Sequence, residues 1–263
     1  MITSTKNSKI KDIRALQALP KARRRANAFV IEGVRLAEEA LEANWTPETV
    51  LFSEDLSERG LQLLERCQGI GTDVEQVAPQ VMKAASDTKT PQGILMVLPV
   101  RELPIPDMIN FVLIPDQVRD PGNLGTLLRS AVAAGVQIVC PQAGDVDVYS
   151  PKVVRAAMGA HFRLPLRVLT AEETRQLCHH HKLNVLLAAA GKGQVYTEID
   201  LQVPLALVIG GEAEGPSGSL QSFATHYAHI PMPGGSESLN AAMAGTLFMF
   251  EVARQRGYQN TKR

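Results

Sequence analysis

Three loops in the second half of the chain carry polar residues directly after apolar runs. The first runs from Asp116 to Gly125 and leads into a helical segment that contains Arg129. On a helical wheel the leucines of this segment share one face, while Arg129 lies opposite them among glycine, threonine and alanine. These small neighbours leave room for a bulky anionic group beside the guanidinium. A surface arginine on an ordinary amphipathic helix fits the same pattern, so both interpretations stay open at this point.

The second loop, Gly210–Gly215, follows the apolar run Leu205–Ile209. Its glycines allow backbone to approach a ligand closely. The spacing does not match the G-x-G-x-x-G dinucleotide fingerprint, and Glu212 and Glu214 would repel a pyrophosphate. The loop therefore suits a neutral or cationic ligand, such as an adenosyl sulfonium.

The third loop, Ile230–Asn240, follows the apolar run His226–Ile230 and combines prolines with a glycine pair. Such a composition predicts an irregular loop. We expect Ser238 to cap a long helix that extends from about Ser238 to Arg256. Alanine and glycine after Asn240 would let this helix pack very close to another backbone.

Short apolar runs alternate with helical segments from Phe111 onward, and Leu164–Leu169 is one of the predicted strands. This alternation predicts a parallel sheet covered by helices on both faces. Ligands of such sheets bind at the carboxyl ends of the strands. We therefore expect the three loops to meet in one site.

A proline-rich segment divides the chain. Residues 28–100 have the pattern of a small α/β unit, and Pro99–Pro106 holds three prolines, which is typical of a semi-rigid linker. The sequence thus predicts one domain over residues 1–100 and a second over residues 107–260.

Composition excludes several classes of protein. Hydrophobic residues make up 45% of the chain, so a large core is expected and disorder is not. The net charge is zero, with 27 basic and 27 acidic residues, which excludes a uniformly charged nucleic-acid-binding surface. Cys67, Cys140 and Cys178 lie far apart, and His179–His181 point in different directions on a helix, so no metal site is predicted. No apolar run is long enough for a membrane helix, and we expect a cytoplasmic protein.

The N-terminal segment is strongly basic. Between Lys6 and Arg25 eight positive residues stand against the single acidic residue Asp12. This pattern favours an arm that contacts RNA phosphates, although a solvated helix with a basic loop has the same composition. The predicted RNA-binding residues are Lys9, Lys11, Arg14, Arg23, Arg24 and Arg25.

Together the three loops resemble the signature motifs of the SpoU (TrmH-like) family of RNA 2′-O-ribose methyltransferases, within the SPOUT superfamily. The first motif is similar in Asn123–Gly125 through Arg129 and Gly135. The second motif is similar in Gly210, Glu212 and Gly215, and the third is similar in Ile230–Met232 and Ser238–Asn240. The first hundred residues look like the small L30e-like RNA-binding domain of many rRNA-directed members, a likeness carried by Arg24, Phe29–Gly33 and Ser86–Gly93.

The resemblance implies an α/β fold with a deep trefoil knot in the C-terminal SPOUT domain, S-adenosyl-L-methionine as cofactor, a homodimer and an RNA substrate, rRNA more than tRNA. The implied catalytic residues are Arg129, Asn123, Glu212, Ser238 and Asn240. The implied cofactor-binding residues are Gly210, Gly211, Gly215, Ile230, Met232, Ser238 and Leu239.

In this family the counterpart of Arg129 activates the ribose hydroxyl. A guanidinium stays protonated in proteins, so it is a poor base. Our hypothesis is that Arg129 grips the adjacent phosphate or the developing alkoxide, while the proton leaves through that phosphate or a water. Three alternatives remain open at this point: a tRNA 2′-O-methyltransferase, a base methyltransferase of the same superfamily, and an RNA-binding protein of this fold with weak or lost catalysis.

Overall fold

The computed structural model describes residues 1–212 and 215–258. Residues 213 and 214 of the second loop, and the last two residues of the predicted 107–260 domain, therefore lie outside the described residues. The chain forms two compact units. The first comprises Met1–Arg101 together with Asp147–Phe162, and the second comprises Glu102–Val146 together with the chain from Arg163 onward.

The first part of the chain forms five helices and four strands. In order they are α1 Ser8–Ala18, α2 Pro20–Ala26, β1 Ala28–Glu32, α3 Val34–Glu42, β2 Thr49–Phe52, α4 Glu58–Gly69, β3 Asp73–Gln76, α5 Pro79–Ala85 and β4 Ile94–Pro99. The strands make a sheet in the order β1-β4-β2-β3, in which only the β2–β3 pair is parallel.

The rest of the chain alternates strands and helices. In order they are β5 Phe111–Asp116, α6 Pro121–Ala134, β6 Ile138–Val139, α7 Pro151–Ala157, α8 Ala171–His180, β7 Asn184–Ala188, β8 Gln194–Val195, β9 Leu205–Gly210, α9 Gly218–Gln221, β10 His226–His229 and α10 Ala241–Gln255. A short 3₁₀ turn, Ala160–Phe162, follows α7.

The second unit is built on a parallel sheet in the order β6-β5-β9-β7-β10-β8, as the apolar runs predict. β5 and most of β9 are buried, because helices cover the sheet. The register pairs Asp116 with Gly210, so the loops after β5 and β9 begin side by side. The loop after β10 leaves the same edge of the sheet.

Two helices that start at this edge pack closely against each other. A Cβ on Gly245 of α10 would lie less than 3.0 Å from the Leu127 side chain of α6, so a larger residue there would have to displace that leucine. The hydroxyls of Ser130 and Thr246 are hydrogen-bonded at 2.8 Å across the same interface. The small residues predicted to allow close packing of α10 therefore do so against α6.

Two sequence predictions in this unit are wrong in detail. The cap of α10 is Asn240 rather than Ser238, since the Asn240 side chain accepts hydrogen bonds from the N–H groups of Ala242 and Met243. Leu164–Leu169 is not a strand and makes only isolated bridges beside β6. Pro165 accepts the N–H of Val139, and Pro141 accepts the N–H of Leu169, but neither proline has an N–H to donate, which interrupts the ladder.

The segment Asp147–Phe162 packs within the first unit, although it follows the predicted domain boundary. Arg155 of α7 forms an ion pair with Asp87 at 2.8 Å. Aromatic contacts also hold the segment: the centroid of the Phe29 ring lies 4.9 Å from that of Tyr149 and 6.2 Å from that of His161. These contacts are tertiary, so local pattern does not reveal them.

His161 gives the first unit a pH-dependent stability. Its Nε2 lies 2.7 Å from the Val148 carbonyl oxygen, and burial lowers the pKa of His161 to about 4. In the unfolded chain the pKa of His161 returns to about 6.5. Above about pH 6.5 the imidazole is neutral in both states, and the fold has its full stability. As the pH falls below that value, the unfolded chain takes up a proton that the folded protein does not, and the free energy of unfolding drops by about 1.4 kcal/mol per pH unit. We expect the free energy of urea unfolding to fall between about pH 7.5 and about pH 5.

His161→Phe isolates this contribution, because it fills the site without a titrating group. We expect the variant to be less stable than the wild type near neutrality, since the Val148 carbonyl loses its donor. Its unfolding free energy should nevertheless depend less on pH over the same range. Equal pH dependence in the two proteins would contradict the assignment.

Candidate active site

A cavity of about 490 Å³ opens at the carboxyl ends of β7, β9 and β10. Its lining includes every residue that the sequence predicts for cofactor binding: Gly210, Gly211, Gly215, Ile230, Met232, Ser238 and Leu239. The structure thus brings the second and third loops together around one space. Their role as cofactor ligands stays a prediction.

Backbone crowding explains two of the glycines. A Cβ on Gly210 would stand less than 3.0 Å from the backbone of Gly215 and Pro216, and a Cβ on Gly211 less than 3.0 Å from the carbonyl oxygen of Gln117. A backbone atom cannot swing aside as a side chain can. Glycine is therefore required for this wall of the cavity to form.

Three of the predicted catalytic residues form a closed hydrogen-bond network. The Asn240 Nδ2 donates to Glu212 Oε1 at 2.6 Å and to Asn123 Oδ1 at 2.9 Å. The Asn123 Nδ2 donates to the same Glu212 oxygen at 3.0 Å. One residue from each loop therefore holds the other two, as expected if the three loops act as one site.

Helix ends fix two members of this network. Asn240 caps the start of α10 through its side chain, and the backbone N–H of Asn123 donates to Asp120, the cap of α6, at 2.8 Å. Because α6 and α10 pack together along their length, the spacing between these two amides is set by the helix interface. The network is thus held by rigid elements, which favours a precise site.

A second cavity of about 380 Å³ lies beside the first. It is lined by Gln117, Val118, Arg119, Asp120, Asn123, Gly211, Glu212 and Ala241. Gly211, Glu212 and Ala241 line both cavities, so the network stands at their boundary. Two ligands in these cavities would meet at the network, which is the arrangement that group transfer requires.

Arg129 does not join the other predicted catalytic residues within one chain. It lies six residues after Asn123 on α6, which is about 9 Å further along the helix axis and about 240° around it. Its side chain lines neither cavity, is exposed, and has no hydrogen bond or ion pair with any other described residue. Ser238 lines the first cavity, where its carbonyl accepts the Ser236 hydroxyl at 3.1 Å.

Several residues at the site were missed by the sequence reasoning. Asp116, at the end of β5, is 3% exposed and accepts the backbone N–H of Ser217 at 2.5 Å, which ties the loop after β9 to β5. Lys192, His229 and Glu237 also line the larger cavity. Their only sequence signal is that they stand in or beside loops that follow strands.

The basic N-terminal residues are placed unequally. Arg23 is 4% exposed, and its guanidinium is bound to Asp147 at 2.7 Å and to the carbonyls of Leu16 and Gln17. This arginine is therefore structural, and the prediction that it contacts RNA is wrong. Lys9 forms ion pairs with Asp73 and Glu75, both at 2.6 Å. The others of the set are exposed: Lys11, Arg14, Arg24 and Arg25.

Within residues 1–212 and 215–258, no cluster of His, Cys, Asp or Glu could hold a metal ion. In the same part of the chain, no helix is both long enough and apolar enough to cross a membrane.

A parallel sheet with a cavity and a polar network at its strand ends defines an open-sheet α/β protein that binds a small molecule there. The family model described as SpoU rRNA Methylase family matches residues 110–250, and that of the MRM3-like substrate binding domain matches residues 7–96. The chain belongs to the SpoU rRNA methylase family. The predicted resemblance, the α/β fold and the N-terminal substrate-binding domain are thereby confirmed.

Relatives match along nearly the whole chain. It is 31% identical to the 23S rRNA (guanosine(2553)-2′-O)-methyltransferase RlmP of Bacillus subtilis, over 95% of this chain and 98% of that protein. It is 30% identical to the 23S rRNA (uridine(2479)-2′-O)-methyltransferase of Streptomyces viridochromogenes, over 96% and 92%. The crystal structure of the SpoU methyltransferase AviRb from Streptomyces viridochromogenes in complex with AdoMet is similar with a TM-score of 0.85 and 28% identity, over 95% of this chain and 99% of that one.

Proposed function

We propose that this protein transfers a methyl group from S-adenosylmethionine to a ribose 2′-hydroxyl of large-subunit rRNA. The observation that carries the proposal is the Asn123–Glu212–Asn240 network at the boundary of two adjoining cavities. The relatives support it, because two of them are named as 23S rRNA 2′-O-methyltransferases. A cytoplasmic location and the trefoil knot stay predictions.

The larger cavity fits S-adenosylmethionine, which supplies an electrophilic methyl when bound. Gly210, Gly211 and Gly215 would present backbone to the adenosyl group, and Glu212 would offer a carboxylate to the sulfonium. Ile230, Met232 and Leu239 contribute to the apolar part of the lining, together with Leu187, Ile209 and Phe248. A cation and a flat heterocycle are thus both accommodated.

The smaller cavity would take the target nucleotide. Asn123, which lines this cavity, orients the ribose with the amide N–H that it does not share with Glu212, and Glu212 and Asn240 hold that amide in place. Holding the 2′-oxygen in line with the methyl group provides most of what such a transfer needs. Arg129 stabilises the oxygen as it loses its proton, which leaves through the adjacent phosphate or a water.

We propose a homodimer in which Arg129 serves the site of the partner subunit. Within one chain Arg129 lies away from the network, so a second copy must supply the guanidinium. The exposed face of α10 supports this, because Met243, Leu247 and Phe250 are 56%, 38% and 40% exposed and lie at helical spacing on one side. An apolar stripe of this kind is typical of a subunit interface.

The first unit would bind the RNA. A basic surface formed by Lys11, Arg14, Arg24 and Arg25 is exposed on α1 and α2. Replacing these four residues by glutamine should weaken RNA binding about equally for all sequences, because phosphate contacts carry no base information. The salt dependence of the Kd should flatten, by roughly 0.7 to 0.9 in log–log slope per lost contact.

Filter binding across a salt series measures both effects. Arg66→Gln, on the exposed side of α4, is the matched control and should leave Kd and slope unchanged. A four-residue variant that binds RNA as the wild type does would place the RNA on another surface.

Calorimetry with S-adenosylmethionine, combined with transfer of a tritiated methyl group to rRNA and tRNA, tests the proposed function. Binding together with transfer to rRNA supports it. Binding without transfer to either RNA would indicate an RNA-binding protein of this fold, and transfer to tRNA alone would indicate a tRNA enzyme.

A further inference from the structure

Asp145 lies in the loop after β6, beneath the turn that leads from β5 into α6. Its carboxylate accepts the backbone N–H of Gln142 at 3.2 Å. The backbone N–H groups of Gln117 and Val118 face the same carboxylate and favour its charged form. One side chain is therefore in electrostatic contact with two loops that are distant in sequence.

The turn that Asp145 holds has an unusual backbone. Gln117 has a φ of 59°, in the left-handed region that residues with side chains rarely adopt. Left-handed backbone at a residue other than glycine persists when its surroundings impose it. Here the surroundings are the Asp145 carboxylate and the buried Val118, which is 1% exposed.

The position of this turn shapes the smaller cavity. Gln117 and Val118 both line it, and the Gln117 carbonyl touches the backbone of Gly211, which lines both cavities. Asn123 follows on the same stretch of chain. A shift of the turn would therefore change the space for the nucleotide and the distance between the two ligands.

We propose that Asp145 is a positioning residue for methyl transfer, whose ionised carboxylate holds the Gln117–Val118 turn where the nucleotide cavity requires it. The proposal rests on the proposed function. It assigns no contact between Asp145 and substrate, since Asp145 lines neither cavity.

The electrostatics support such a role. Burial raises the pKa of Asp145 to about 6, and the neighbouring Asp116 carboxylate acts in the same direction, while the backbone N–H groups oppose the rise. Arg119 and Asp120, the other charged residues of the turn, are exposed. Protonation turns one carboxylate oxygen into a donor facing N–H groups, so the hold on the turn weakens as the pH falls through about 6.

Ionisation of Asp145, which strengthens its hold on the turn, lowers the stability of the fold. A carboxyl whose pKa is higher in the folded protein than in the unfolded chain destabilises the fold once it ionises, as the pH rises through about 6. The carboxylate is thus kept charged at some cost in stability.

Asp145→Asn tests the proposal, with Asp107→Asn, at an exposed position before β5, as matched control. At about pH 8 we expect the kcat/KM for rRNA to fall roughly tenfold or more, because a small misplacement near reacting atoms is costly. The Kd for S-adenosylmethionine and the Tm should stay near those of the wild type. The wild type should lose activity below about pH 6, and the variant should lack this acid limb.

Wild-type kcat/KM in Asp145→Asn, or an unchanged acid limb, would overturn the proposal. If this variant does not fold, Asp116→Asn decides, because removing the neighbouring charge should move the acid limb of the folded enzyme to lower pH. An unmoved limb would again overturn it. Absence of transfer by the wild type itself would instead refute the proposed function.

Discussion

Arg129→Ala should lower the kcat for rRNA methylation by about a hundredfold to a thousandfold, the range seen when a donor to a developing oxyanion is removed. The Kd for S-adenosylmethionine should not change, because Arg129 lines neither cavity of its own chain. Stability should also be kept, since the exposed guanidinium has no hydrogen bond or ion pair within the described residues. Single-turnover kinetics and calorimetry measure the two quantities.

Two further variants define what the guanidinium contributes. Arg129→Lys should remain poor, because lysine keeps the charge but lacks the planar fork that binds a phosphate or alkoxide in two places. Arg175→Ala removes another exposed arginine of the same unit, whose ion pair among the described residues is with Glu172 on the same helix, α8. This variant should leave activity unchanged. Wild-type turnover by Arg129→Ala would remove Arg129 from the mechanism.

Mixed dimers show which subunit supplies Arg129. Arg129→Ala and Glu212→Gln are each expected to be inactive. If Arg129 acts across the interface, a dimer of one of each contains one intact site, so an equal mixture after exchange should recover about a quarter of wild-type activity. No recovery would mean that Arg129 and Glu212 act from the same chain, or that the protein is not a dimer.

Gly211→Ala should abolish most cofactor binding and lower kcat/KM at least about a hundredfold, or about 3 kcal/mol. The added Cβ would stand less than 3.0 Å from the Gln117 carbonyl oxygen, and relief requires the first and second loops to separate. Separation would break the network, because Asn123 and Glu212 belong to those two loops. Calorimetry measures the loss of affinity.

Gly234→Ala is the matched control in the third loop. No atom lies within 4 Å of a Cβ built at Gly234, and its φ is not in the left-handed region. We expect affinity, activity and Tm to match the wild type. Equal tolerance of alanine at Gly211 and Gly234 would show that the close backbone contact at Gly211 does not determine the shape of the cofactor cavity.

The sequence predicted the parallel sheet and the meeting of the three loops, because apolar runs and strand-end loops are local signals. It placed the helix cap at Ser238 since serine, like asparagine, is a good cap. Tertiary position decided between them: Asn240 reaches both Asn123 and Glu212. The sequence alone does not distinguish between these two capping residues.

Other features depend on contacts that sequence cannot reveal. Arg23 is one of a run of basic residues, and its burial and its pairing with the distant Asp147 make it structural. Asp145 stands far along the chain from Gln117, whose backbone N–H faces its carboxylate. Arg129 fits the family motif, yet it lines neither cavity of its own chain, so the role we propose for it requires a partner subunit.

The most direct test is to incubate the purified protein with S-adenosylmethionine and with rRNA from a strain that lacks it, then to digest the RNA and analyse the nucleosides by mass spectrometry. We predict a single 2′-O-methylated nucleoside in large-subunit rRNA, formed by the wild type and not by Arg129→Ala. A methyl group on a base, or methylation of tRNA alone, would contradict the account.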